Sequence, residues 1–446
     1  MTDLEVIDVD RTRIKLPYRS AIASHMFREL PHWRYFDVFA VELAGGAIGY
    51  GETMAYYTWG RSDGRAVSRA LGSNAGSLLW DDSLGAGLQM ALFDAVGNAL
   101  GVPVHELLGS QVRDRASISW WCIDMPPAAW LAECELAIER GYTGAKVKGR
   151  PWFDIREQVA VLADELPSWF AIDIDFNDTL LRVPDAVPVL EELEAAPQVS
   201  RFETPIPQED VPGNRRIRAA IDADLALHYG TPPPMEALCS AVVDGFVWTG
   251  GASQLRRETA VAATAETPGW LQLVGTDLTA TWMVHQNAVL EAARWPAITC
   301  HDVFSASILA ADLQVEDGSI AVPNTPGLGV KIDRETLETY AIEEPTEAQV
   351  AEQAVEDDDF TEFYCRMQTA RKPSPQRLIR TSWADGSSMY FTGENDQLLR
   401  FAQEPGNLPY FPEGVTTELV PDDGSERWQT LWNQARDGPV EVTSDD

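Results

Sequence analysis

The alternation of apolar and polar positions changes character twice along the chain. In the first hundred residues FDVFAVEL (36–43) alternates as a half-buried strand does, two glycines follow at 45 and 46, and AIGYGE resumes the alternation, which predicts a hairpin. The stretch 83–101 then carries Leu84, Leu88, Ala91, Leu92 and Ala95 at helical spacing and stops at Gly101 and Pro103. From 113 to about 310 short apolar runs alternate with amphipathic helical stretches. The runs lie at 118–121, 144–148, 169–175, 199–203, 225–228, 242–248, 271–275 and 298–302. Eight strand–helix alternations predict a parallel α/β sheet, and eight is the number that closes a (β/α)8 barrel. Beyond 335 the pattern changes again. An acidic helical stretch comes first, then a hairpin turning at Ala384-Asp385-Gly386, then TTELVPDDGSERWQTLWNQA as strand, turn and helix. The expected organisation is a capping unit over 1–112, a barrel over 113–335 and a small β-containing appendage over 336–446.

Composition narrows the function classes. Of 446 residues 45% are hydrophobic, including 15 Trp and 15 Phe, so a large core can be buried. No apolar run is long enough for a membrane span, and the N-terminus is charged from its third residue, unlike a secretory signal. Acidic residues number 69 against 34 basic, a net charge of −35, which repels phosphate backbones and argues against nucleic-acid partners. Only five lysines occur, at 15, 146, 148, 331 and 372. An acidic, lysine-poor surface fits either saline surroundings or simple solubility. Five dispersed cysteines without a CxxC point to a reducing cytoplasm rather than to a disulfide or zinc scaffold.

In such a barrel the chemistry sits where strands end. The second run ends Lys146-Val-Lys148, the third Asp173-Ile-Asp175-Phe-Asn177, the fourth Glu203, the fifth His228 and the eighth His301-Asp302. Two lysines at alternate strand positions face the same way. If that way is inward, mutual repulsion and burial lower their pKa values, and one can act as a base near neutral pH. If it is outward, they are two solvated cations at a strand edge. Asp175 and Glu203 on neighbouring strands suit Mg²⁺, which prefers oxygen donors, or they form an acidic pair held by Arg201 or by backbone amides.

These residues resemble the enolase superfamily, in its mandelate racemase and muconate-lactonizing branch. IGYGE (48–52) resembles that branch's glycine-rich hairpin, 90–110 its helix and following turn, GAKVKGR its second-strand K-x-K, Asp175-Phe-Asn177 its D-x-N, FETPIP its E-x-P and PNTPGLGVKID (323–333) its closing segment. The resemblance implies an α+β capping domain over a modified TIM barrel. It implies removal of the proton α to a carboxylate by Lys148, with Lys146 as electrostatic neighbour. It implies a divalent ion, Mg²⁺ or Mn²⁺, on Asp175 and Glu203, with Asp173 as the alternative to Asp175. Loops 17–32 and 52–62, containing His25 and His32, match the segments that close over the substrate. Tyr18 and Trp59 there, with Asn177, are candidate substrate contacts. A small carboxylate substrate and a homo-oligomer are implied as well.

The departures are specific. His228 stands where a third acidic ligand is expected; it either ligates the metal, favouring an ion softer than Mg²⁺, or bonds locally. The sixth run carries no lysine, and Asp244 lies at its start. For the opposite-face acid/base Asp277, His301 and Asp302 are candidates, while His285 falls on the following helix. A one-base dehydration of a hydroxy or sugar acid needs less of the missing face than a racemisation does. The competing expectation is a ligand-binding or scaffold protein that keeps the fold without turnover.

Overall fold

The computed structural model describes residues 3–56, 60–343, 377–392, 401 and 413–442. The cap is an antiparallel sheet β1 (Val6–Lys15), β2 (Tyr35–Leu43) and β3 (Ile48–Met54), in that order, with helix Ala86–Leu100 against it. The glycines of IGYGE have a steric reason. A Cβ on Gly49 would stand 2.1 Å from the Ala95 nitrogen and one on Gly51 2.1 Å from the Gly87 carbonyl oxygen, so only glycine lets strand and helix backbones meet this closely.

Beyond the cap, β4 (Arg115–Ser117) leads into seven parallel strands. They are β5 (Trp120–Cys122), β6 (Gly144–Lys148), β7 (Ala171–Asp175), β8 (Val199–Glu203), β9 (Asp224–His228), β10 (Gly245–Trp248) and β11 (Gly269–Leu271), paired in sequential order. Helices Pro127–Glu139, Ile155–Glu165, Val183–Leu193, Val211–Ala220, Pro234–Cys239, Ala252–Thr264 and Asp277–Val289 connect or follow them. The expected eighth strand is reduced to single bridges, Ile118 with Ala297 and Gln272 with Ile298, and these bring the last segment between β11 and the start of β5. Two boundaries shift from the sequence expectation. The sixth strand begins at Gly245, not at 242, because Val243 and Asp244 belong to the preceding loop. The seventh begins at Gly269, two residues early, where a tight backbone approach to Phe246 again admits only glycine.

After β11, β12 (Val315–Glu316) pairs with β13 (Ser319–Ala321), which in turn pairs with β4. Cap and barrel share one apolar core and are joined by buried polar clasps. Glu52 of β3 accepts from the Thr276 and Thr279 backbone N–H groups (2.6 and 3.1 Å) and from both hydroxyls (2.7 Å each), closing the N-terminus of helix Asp277–Val289. Asp82 does the same for helix Ala252–Thr264 through Ser253 N and Gln254 N. The PGLG segment docks on the cap helix. Asp94 accepts from Leu328 N and Tyr50 N, and burial lifts its pKa to about 6.

The appendage is a sheet β14 (Leu378–Ser382), β15 (Ser388–Thr392), β16 (Thr416–Val420) and β17 (Val440–Val442), in the spatial order 16-14-15-17, with helix Glu426–Ala435 on one side. The hairpin turn falls where the sequence places it, with Asp385 accepting from Ser387 N. The acidic helical stretch lies outside the described residues beyond Glu343. On its other side the sheet rests on the barrel, where Ile379 and Phe391 pack with Trp152 and Phe153 from the loop after β6. No helix among the described residues is long and apolar enough to cross a membrane.

Candidate active site

Strand register assembles the centre. Lys148 is level with Asp175 and Asp175 with Glu203, while Glu203 is level with Ala226, so His228 stands two residues further on. The backbone beyond these strands turns sharply, with positive φ at Asn177, Asp178 and Thr204. For a β-branched threonine this is an unusual conformation, and such strain gathers at functional sites.

The two lysines occupy different environments. Lys146 Nζ is buried between Glu203 and Asp175 (3.3 Å to Asp175 Oδ2), donates to Gln272 Oε1 at 2.7 Å and lies 5.3 Å from the Trp270 ring centre. Burial alone would lower its pKa, but the Glu203 and Asp175 carboxylates outweigh burial and hold it above the ordinary lysine value. Lys148 Nζ donates to Asp175 Oδ2 (2.6 Å) and Asn177 Oδ1 (2.9 Å). Its pKa is lowered, first by burial and then by the neighbouring Lys146 and Arg150 charges against the pull of Asp175. The expectation that both lysines are depressed is therefore corrected: one is locked as an ammonium and the other is shifted toward the free amine. Asp175, despite burial, is held well below the usual carboxylate range by Lys148 and Lys146.

The alternatives also separate by geometry. Asp173 faces Arg201 (3.0 Å), whose guanidinium stacks on Trp295, one layer below Asp175. Asp244 accepts from Arg218 and from Leu225 N at the start of its strand. His285 is fully buried, accepts from His105 N, lies 3.1 Å from the Leu328 carbonyl, and has its pKa pushed by burial down to about 4. Tyr18 is buried against Phe27 and Phe304, and its hydroxyl donates to the Leu30 carbonyl. His32 is buried and His25 is not, its pKa lowered to about 4 by burial. Trp59 lies outside the described residues.

Asp277 and His301 come together, but in a separate cluster. His301 Nδ1 is 2.7 Å from Thr299 Oγ1, and its Nε2 is 3.4 Å from the Tyr142 hydroxyl, 3.5 Å from Asp302 and 3.8 Å from Asp277. Asp277 and His301 follow the last two strand segments of the barrel, and Tyr142 reaches them from the turn before β6.

Both Glu203 carboxylate oxygens are buried, Oε2 against the Lys146 ammonium and Oε1 3.1 Å from His228 Nε2. Two carboxylates and an imidazole at the strand ends therefore have the chemistry of a divalent-ion site. In the present arrangement the Lys146 ammonium stands between the carboxylates, and among the described residues no three His, Cys, Asp or Glu side chains converge to hold an ion. Binding requires Lys146 to give way. Sequence reasoning missed Gln272 and Trp270, which hold Lys146 from the seventh strand; the signal was a lone glutamine inside the apolar run LQLVG.

Comparison with known proteins shows what the sequence and the fold are similar to. Residues 129–336 match the family described as enolase C-terminal domain-like. Chloromuconate cycloisomerase of Cupriavidus pinatubonensis is 26% identical over 271 residues, 57% of this chain and 72% of that protein. A probable glucarate dehydratase of Streptomyces coelicolor is 29% identical over 301 residues, 57% of this chain and 65% of that protein, so the chain spans a little under two thirds of its length. Among solved structures, muconate cycloisomerase from Pseudomonas fluorescens shares the fold with TM-score 0.61 at 20% identity, over 76% of this chain and 99% of that one.

Proposed function

Because the chain belongs to the enolase superfamily, in its mandelate racemase and muconate-lactonizing branch, we propose that it is an enzyme that removes the proton α to a substrate carboxylate, in a lyase reaction that dehydrates a hydroxy or sugar acid. The observation that carries this reading is Lys148. Its amine stands at the strand end, oriented by Asp175 and Asn177, with its pKa lowered by burial.

In this reading the Lys148 amine takes the α proton and the electron pair passes into the carboxylate as an enediolate. Collapse of that species breaks the β C–O bond, and the Lys148 ammonium returns its proton to the departing hydroxide as water. One base serves both steps. The engagement of His301 with Thr299, Tyr142 and Asp302 favours such a one-base elimination over a racemisation, which needs a second group facing Lys148. A divalent ion, when bound, would act as a Lewis acid on the carboxylate, and Asp175, Glu203 and His228 are the residues that would hold it. The imidazole in place of a third carboxylate favours Mn²⁺ over Mg²⁺. The test is a screen of sugar acids for loss of water and α-deuterium incorporation in D₂O, with Lys148→Met as the control.

A further inference from the structure

The loop that follows Lys148 is fixed at both ends, and its one cation has no acidic partner among the described residues. Gly149 N donates to the Asp175 carbonyl at 2.9 Å, and the Thr179 hydroxyl donates to the Gly149 carbonyl. Space for a side chain at 149 is closed by Ile174 and Phe176. Further along, Trp152 and Phe153 are buried against Ile379 and Phe391 of the C-terminal sheet. The Trp152 carbonyl accepts from Thr417 Oγ1 at 3.1 Å, and Asp154 Oδ2 accepts from Gly414 N at 3.2 Å. Arg28 lies over the Phe153 ring and donates to the Asp124 and Thr417 carbonyls, so the cap segment at 23–29 is tied into the same seam. Between these anchors stands Arg150. Its Nε is buried and has no hydrogen-bond partner among the described residues. It is close enough to Asp124, Asp175 and Asp178 to bias their ionisation, yet no carboxylate among the described residues pairs with it. In a chain with 69 acidic and 34 basic residues, a guanidinium held at the barrel mouth beside Lys148 without an acidic partner is out of keeping with the rest of the molecule. A planar fork of donors is suited to a carboxylate.

We propose that Arg150 receives a second anionic group of the substrate, a carboxylate at the end remote from the reacting carbon, and that the C-terminal sheet holds the loop so that Arg150 keeps this place. This rests on the proton-abstraction reading for the identity of the site, and it narrows the substrate class to diacids. Lys146 is already saturated by Glu203, Asp175 and Gln272, and Lys148 is reserved for the proton, so neither takes that role.

The experiment is calorimetric binding of glucarate and gluconate, six-carbon acids that differ in one terminal carboxylate, to the full chain and to Arg150→Gln and Arg150→Lys. Thermal unfolding verifies that the variants fold. Expected is tighter binding of glucarate than of gluconate, with that preference reduced about ten- to a hundredfold in Arg150→Gln and partly restored in Arg150→Lys. Equal affinities for the two acids, equal losses for both in Arg150→Gln, or no saturable binding of either overturns the assignment. The two readings fail separately. A glucarate preference that depends on Arg150, without α-deuterium incorporation, leaves the anion subsite standing and removes the proton abstraction. Exchange on gluconate as fast as on glucarate does the reverse.

Discussion

Replacing Lys146 by Met tests how the centre balances charge. The ammonium and both carboxylates it joins are about 1% exposed, and it donates to Gln272 as well. Methionine is unbranched and near lysine in length, so packing changes little, and the cost is electrostatic. Removing one member of a buried ion pair destabilises by about 3–5 kcal/mol, because the partner charge stays buried without compensation. Here two carboxylates would be left side by side on adjacent strands. A divalent ion is the natural replacement for the lost ammonium. An ion that binds only the folded state at about a hundred times its dissociation constant contributes about 2.7 kcal/mol. The assay is urea unfolding of wild type and Lys146→Met, in EDTA and in Mn²⁺. The variant should lose about 3–5 kcal/mol in EDTA and regain more than half of it with Mn²⁺. The wild type should respond less, since the ion must first displace Lys146 from Glu203. Equal stability of the two proteins in EDTA, or equal gains with Mn²⁺, would refute the reasoning.

Three further outcomes follow from the same geometry. His228→Asp supplies a third carboxylate beside Glu203 and should tighten Mg²⁺ binding at least about tenfold by calorimetry; unchanged affinity would mean that His228 is not in the ion's reach. Glu52→Ala leaves the buried Thr276 and Thr279 N–H groups without an acceptor and should cost about 2–6 kcal/mol in urea unfolding, at about 1–3 kcal/mol for each group; a loss below about 0.5 kcal/mol would dismiss the clasp. The pH dependence has a definite sign: the Lys148 base is its deprotonated form and burial lowers its pKa, so exchange should rise with pH and level off below the ordinary lysine value of about 10.4. A rise that continues past that value, or a fall with pH over the same range, would exclude a depressed lysine base.

The residues legible in the sequence were those whose meaning is local. K-x-K, D-x-N and Glu203 end short apolar runs, and parallel register alone sets them side by side. The hairpin at Asp385-Gly386 is likewise written in its own turn residues. What stayed hidden depends on partners far along the chain. Nothing near Glu52 announces Thr276 and Thr279, and nothing in K-x-K says that one lysine meets Gln272 and Glu203 while the other meets Asn177. The eighth run keeps the strand pattern but makes only single bridges, a difference that alternation cannot express. His301 has the residue type expected of an acid/base; only the fold shows its ring engaged with Tyr142 and Thr299. Arg150 was in view two positions after Lys148, continuing the alternation of cations at 146, 148 and 150. That it has no partner among the described residues is visible only in three dimensions.

The most direct test of the central claim is α-proton exchange followed by NMR in D₂O, with sugar acids as substrates and the metal-loaded wild type compared with Lys148→Met. Loss of a general base lowers such a rate by about 10²- to 10⁴-fold. The account predicts deuterium at the α carbon or loss of water with wild type, and a reduction of that size in a variant that unfolds at the wild-type temperature. Exchange that survives in Lys148→Met at an undiminished rate would contradict it.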